Sequence, residues 1–252
     1  MTPETVGLLA GAGLLAGAVN AVAGGGSLIS FPALLAAGYP SVQANVTNTV
    51  ALFPGYVGSV AGGRLELVGQ RRRLRAVAVT SALGAVGGSI LLLTTPGEVF
   101  RLVVPFLILL ACALLAFQPR LAKLVQRTAA DGHERHSVLL QGCVLLSAVY
   151  GAYFGAGLGV LLLGVLGIFL HDRLQRVNAL KNVLSVVINA VALLAFAAFG
   201  PVAWAAVLVI ATASLAGGYL GARIARRIPS QALRIAVVGY GVVVAGVLIA
   251  TG

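Results

Sequence analysis

Asn20, Gly24, Gly25, Gly26 and Ser27 lie close together near the start of the chain and have the makings of a small-anion site. Consecutive glycines let a ligand approach backbone N–H groups closely, and Asn and Ser add neutral donors beside them. A second group, Asn45, Thr47 and Asn48 in "QANVTNT", follows Pro40 and leads into an apolar run. Such residues either cap a helix or, because a capped helix start carries a positive dipole, help to hold an anion. A third group, Asn178, Lys181 and Asn182 in "NALKN", offers amide donors and one ammonium. Lys181 reads in two ways, as a cation that attracts substrate or as a lysine snorkelling to the cytoplasmic boundary.

Other chemistries lack their residues. The six acids, Glu4, Glu66, Glu98, Asp131, Glu134 and Asp172, fall in loops or at the edges of apolar blocks. No carboxylate is therefore placed at the centre of a span to relay protons or hold a cation. His133 and His136 sit in a polar stretch without cysteines or convergent acids, so no metal site is expected. Ser27 lies in "GGGSL", but no base lies within a span to activate it. The expectation is a chain without catalytic residues, metal or cofactor.

The elements that must position these groups follow from composition. Of 252 residues, 60% are hydrophobic and 9% charged, against about 25% charged in a soluble domain. Long Leu/Val/Ala blocks recur throughout, which points to an all-α polytopic membrane protein, not an alternating β-barrel. Cys112 and Cys143 sit inside apolar blocks and read as small buried hydrophobes. The start, "MTPETVG", lacks the basic residues of a secretory signal, so the first block is expected to stay in the mature chain.

A net charge of +11 would suit nucleic acid, but its distribution argues against that partner. The basic residues gather in short stretches: Arg64–Arg75, Arg120–Arg135, Arg173–Lys181 and Arg223–Arg234. Clusters of this kind mark cytoplasmic loops. The expected setting is the inner (plasma) membrane, with a small anion, the lipid bilayer and a second copy of the chain in a homodimer as partners.

The chain also repeats itself. "ANVTNTVALF" resembles "VNALKNVLSV", "PGEVFRLVV" resembles "PSQALRIAV" at the same offset, and the glycine run has a counterpart in "YGAYFGAGLGVLLLG". Repeats in one order indicate duplication. The expected division is 1–118 as a first membrane repeat, 119–137 as a basic cytoplasmic linker and 138–252 as a second membrane repeat.

Orientation follows from the basic clusters. The block Val138–Leu170 must begin and end on the cytoplasmic side, yet as one helix it would be ~50 Å long in a core of ~30 Å. It is expected to break at "GAGLG", and Thr5–Gly38 to break at its own glycines. Each half then holds a broken or re-entrant glycine-rich hairpin plus three transmembrane helices. The second half is inverted relative to the first, and both termini lie outside. Breaks free backbone groups that only protein or a water-filled cavity can satisfy.

The stretch "GAVNAVAGGGSLISFPALLAAGYPSVQANVTNTVA" resembles the TauE/SafE sulfite exporter family of membrane permeases, and the likeness extends over the whole chain. The resemblance implies transport, often outward, of sulfite, sulfonates such as sulfoacetate, or related organosulfur or carboxylate anions. Two other readings of the residues stand beside it: a passive anion channel, and a membrane scaffold without transport.

Overall fold

Leu, Ala and Val dominate the chain, and in a computed structural model they fold into helices interrupted where Gly and Pro fall. The structure describes residues 1–22, 25–62, 64–128, 137–170, 172–224 and 230–251. These form α1 (Pro3–Val22), α2 (Ser27–Ala36), α3 (Ser41–Gly62), α4 (Arg71–Thr94) and α5 (Gly97–Thr128). The series continues with α6 (Ser137–Tyr153), α7 (Leu158–Phe169), α8 (Leu174–Phe199), α9 (Trp204–Ile224) and α10 (Ser230–Thr251). A short 3-10 turn, Arg64–Leu67, precedes α4, and no strand occurs among the described residues.

Four helices contain stretches long and apolar enough to cross a membrane: Arg73–Thr94, Gly97–Leu121, Leu174–Phe199 and Gln231–Ala250. Their outward faces are apolar; Leu83 on α4, Phe106 on α5 and Val243 on α10 are each exposed. An exposed apolar surface of this extent suits lipid.

The helices are interrupted at both glycine-rich sites. α2 has 10 residues and α7 has 12, or ~15 and ~18 Å at 1.5 Å per residue, about half of a bilayer core. At the second break Gly155 and Gly157 take φ of 77° and 75°, left-handed values that a side chain would strain. The Tyr150 hydroxyl donates to the Ala156 carbonyl at 2.6 Å and ties the turn back to α6.

α5 does not stop at the expected boundary after residue 118. Its basic tail, "RLAKLVQRT", is rich in good helix formers, so the helix continues to Thr128 with Arg120 and Lys123 on its final turns. The expected linker is thus helical at its start; residues 129–136 lie outside the described residues.

Pairing between the two halves is reciprocal. α1 packs most extensively on α9, and α6 on α4. Glycines set both contacts. A Cβ on Gly17 would overlap the Ser214 carbonyl oxygen, and one on Gly217 would overlap that of Leu14. In the other pair a Cβ on Gly84 would lie 2.6 Å from the Leu145 carbonyl oxygen, and one on Gly88 would overlap that of Val149. Gly13 and Gly17, like Gly84 and Gly88, are four residues apart on one helix face, the spacing that lets membrane helices pack backbone to backbone.

Candidate functional site

A cavity of about 570 Å³ lies among α1, α3, α7, α8 and α9. Its most polar wall is one face of α8, where Asn178, Lys181, Asn182 and Ser185 stand at i, i+3, i+4 and i+7. That spacing puts four side chains on one stripe of a helix. Lys181 is seven residues beyond Leu174, ~10 Å along the axis. The stripe is anchored below by a bond from Asn189 Nδ2 to the Ser185 carbonyl at 2.8 Å.

The start of α7 forms the adjoining wall. Gly155, Gly157, Leu158 and Gly159 line it, and Gly157 occupies the N-cap position without a side-chain cap. The Lys181 Nζ lies 3.8 Å from where a Cβ on Gly159 would sit. An ammonium thus rests on the first turn of a helix, beside the end that carries about half a positive charge. Two positive features converge here.

No acid among the described residues forms an ion pair with Lys181. Asp172, the acid closest to it in sequence, is taken up elsewhere. It pairs with Arg176 Nε at 3.3 Å and with Arg73 at 3.7 Å. Gln70 Nε2 donates to the Arg176 carbonyl at 3.3 Å and to the Glu66 carbonyl at 2.8 Å, which fastens the start of α4 to the start of α8.

From the first half, Asn20 and Ser27 reach the cavity. Asn20 Oδ1 accepts the Gly26 N–H at 2.7 Å. The first break therefore does not present that backbone amide directly. Because the oxygen is committed inward, the Asn20 amide nitrogen is the end left to donate.

The remaining residues expected from the sequence are placed differently. Gly25 and Gly26 are buried behind the wall and do not line the cavity. A Cβ on Gly25 would meet Leu115 Cδ2 at 3.0 Å, and one on Gly26 would meet the Ala16 carbonyl and the Asn20 side chain. Gly24 lies outside the described residues.

Asn45, Thr47 and Asn48 are buried in helix packing and are not part of the lining. Asn45 Nδ2 donates to the Tyr153 carbonyl at 2.8 Å, and Thr47 Oγ1 accepts the Ala203 N–H at 3.0 Å. Asn48 Oδ1 accepts from the Ser30 hydroxyl. The physical reason is tertiary: the start of α3 is pressed between the end of α6 and the start of α9, where backbone groups at helix ends need partners.

Among the described residues, five polar lining residues escaped the sequence reading: Ser185, Ser214, Gln118, Tyr56 and Tyr219. Extending the Asn178–Asn182 stripe by one turn reaches Ser185, so that residue had a signal. Gln118 opens the polar stretch that reads as linker, and only the continuation of α5 brings it to the cavity. Tyr56 and Tyr219 carry no signal in sequence beyond their amphipathic side chains.

Comparisons with known proteins add a family. The description "Sulfite exporter TauE/SafE" matches residues 9–248. The chain is 29% identical to "Probable membrane transporter protein ORF9" of Sinorhizobium sp, over 85% of this chain and 80% of the relative. It is 27% identical to a "Probable membrane transporter protein" of Haemophilus influenzae, over 84% and 81%. It is also 27% identical to "Probable membrane transporter protein YfcA" of Escherichia coli K12, over 90% and 82%. These relatives are named as transporters, a role that is not enzymatic. No solved structure matches.

Proposed function

The chain belongs to the TauE/SafE sulfite exporter family, and from that premise we propose that it carries a small anion across the inner (plasma) membrane. The substrates in view are sulfite, sulfonates and related organosulfur or carboxylate anions. The observation that carries this reading is the meeting of Lys181 with the start of α7 inside a cavity, with no acidic partner for the ammonium among the described residues. An anion bound between them relieves the repulsion of two positive features and gains donors from Asn20, Asn178 and Asn182. Each neutral donor contributes about 0.5–1.5 kcal/mol, so several together bind an anion without trapping it.

The test is counterflow in proteoliposomes against a panel of sulfite, sulfoacetate, ethanesulfonate and acetate, with choline as a cationic control. Saturable exchange of at least one anion is expected. Current without counterflow identifies a passive channel, and neither signal leaves the scaffold reading.

The proposal includes topology. The two short helices are half-spans of re-entrant hairpins, the halves are inverted repeats, and the basic clusters face the cytoplasm. The matching order of helices and their reciprocal packing support that arrangement. Single cysteines introduced at Thr2 and Thr251 are expected to react with an impermeant reagent from outside intact cells. Labelling of Thr251→Cys only after the cells are opened overturns the inversion.

A further inference from the structure

We infer that the units that move during transport are not the two sequence halves but two bundles that each borrow a helix from the other half. This rests on the transporter reading above. One bundle is α1, α2 and α3 with α9; the other is α6, α7 and α8 with α4. The joints that fasten the borrowed helices join the two helix pairs that approach closest at the described glycines, through Gly217 on Leu14 and Gly88 on Val149. At Gly17 and Gly217, α1 and α9 meet backbone to backbone, and at Gly84 and Gly88, α6 and α4 do the same. α9 also packs on α3, and α4 on α8. Such joints have no slack, because even one methyl group does not fit at them.

The cavity is the seam between these bundles. Among the described residues, all that line it except Gln118 on α5 belong to one bundle or the other, counting Gly155 and Gly157 of the α6–α7 connection. Ser214 and Tyr219 of α9 are in the same bundle as Asn20. The lining residues of α3 and α8, Leu52–Tyr56 and Asn178–Ser185, lie toward the ends of those helices that lead into the basic clusters.

Across the seam α3 packs on α8 about as extensively as on α9, far less than α1 packs on α9 or α6 on α4. Toward the opposite ends of α3 and α8 the seam is shut. Across it, Asn45 Nδ2 donates to the Tyr153 carbonyl, and the Phe31 and Phe154 rings meet edge to face at 5.5 Å. Asn45 Oδ1 is buried there without a partner. Two residues further on, Thr47 accepts the N–H of Ala203, the residue before α9, whose carbonyl accepts the Val207 N–H at 3.0 Å. This bond ties α3 to the start of α9 within one bundle. The Asn45–Tyr153 bond crosses the seam and must part if the bundles move, whereas the neighbouring Thr47–Ala203 bond stays made. Opening the seam here exposes the cavity to the other side of the membrane, the alternation that transport requires.

Asn45 and Thr47 make the test sharp. If the sequence halves move, both contacts join moving units; if the swapped bundles move, only Asn45–Tyr153 does. In a chain carrying Cys112→Ala and Cys143→Ala, the pairs N45C/Y153C and T47C/A203C are bridged with a short thiol cross-linker. Each bridged form is compared with its own unbridged form. Bridging N45C/Y153C is expected to cut counterflow at least tenfold, while bridging T47C/A203C leaves it within about twofold.

Hydrogen–deuterium exchange of Phe154–Gly159 supplies a readout that needs no substrate, with slowing expected only for the N45C/Y153C bridge. Loss of counterflow in both bridged forms, or equal slowing of exchange in both, returns the motion to the sequence halves. An unimpeded N45C/Y153C bridge removes the gate. If the chain exchanges none of the panel anions, the transporter reading fails, and the exchange experiment still decides which helices move together.

Discussion

Replacing Lys181 by glutamine is expected to weaken anion binding roughly tenfold to a hundredfold while the protein stays folded. The substitution keeps a donor of similar reach and removes only the charge. Hydrogen bonds to a charged group contribute about 1.5–3 kcal/mol, and each 1.4 kcal/mol is about a factor of ten in affinity. The charge stands on the first turn of α7 without an acidic partner among the described residues, so no ion pair is broken by its loss. Stability should hold or rise slightly, because the ammonium no longer faces the positive end of a helix. Lys181→Glu goes further: it puts a carboxylate in the proposed anion site, and transport should vanish. Counterflow and thermal unfolding in detergent check both variants. Unchanged affinity and rate in Lys181→Gln would assign the lysine to topology alone.

The second large effect is at Gly26. Gly26→Leu is expected to abolish counterflow while leaving the chain inserted in the membrane. Gly26 has φ of −59°, an ordinary helical value, so its need for glycine is space and not backbone freedom. A Cβ there would overlap the Ala16 carbonyl oxygen and lie 2.7 Å from Asn20 Cγ and Nδ2. A side chain must therefore push the end of α1 off the start of α2, break the bond from Gly26 N–H to Asn20 and turn Asn20 away from the cavity.

Gly25 provides the contrast. Its nearest obstacle is the flexible end of Leu115 at 3.0 Å, so Gly25→Ala should keep at least half of the wild-type rate, and Gly26→Ala should not. Counterflow normalised to protein in the membrane fraction separates them. Equal rates for the two alanine variants would mean that close packing at Gly26 has no part in forming the site.

The comparison of these glycines shows what sequence does and does not carry. The break itself was legible, because three glycines in an apolar run leave no continuous helix, and the second break announced itself as "GAGLG". The polar face of α8 was legible as well, since its members obey helical spacing. Which glycine meets backbone and which meets a yielding side chain depends on residues outside the glycine run, here Ala16 on α1 and the distant Leu115 on α5.

The same limit explains Asn45, Thr47 and Asn48. Their types suit a binding site and a helix start equally, and their partners, Tyr153, Ala203 and Ser30, decide for packing. The pairing of α1 with α9 and of α6 with α4 likewise joins distant segments; Gly13/Gly17 and Gly84/Gly88 reveal a close contact but not its partner.

The proposed site places the anion in the cavity between the polar face of α8 and the start of α7. Protection of a cysteine in that cavity tests it most directly. In the Cys112→Ala, Cys143→Ala background, Asn182→Cys is labelled with N-ethylmaleimide in the presence of sulfoacetate, ethanesulfonate or acetate, with choline as control. Saturable slowing by at least one of these anions is predicted, together with loss of that protection when Lys181→Gln is added. Labelling at the same rate with and without every anion, in a protein that still exchanges one of them in proteoliposomes, would contradict the placement.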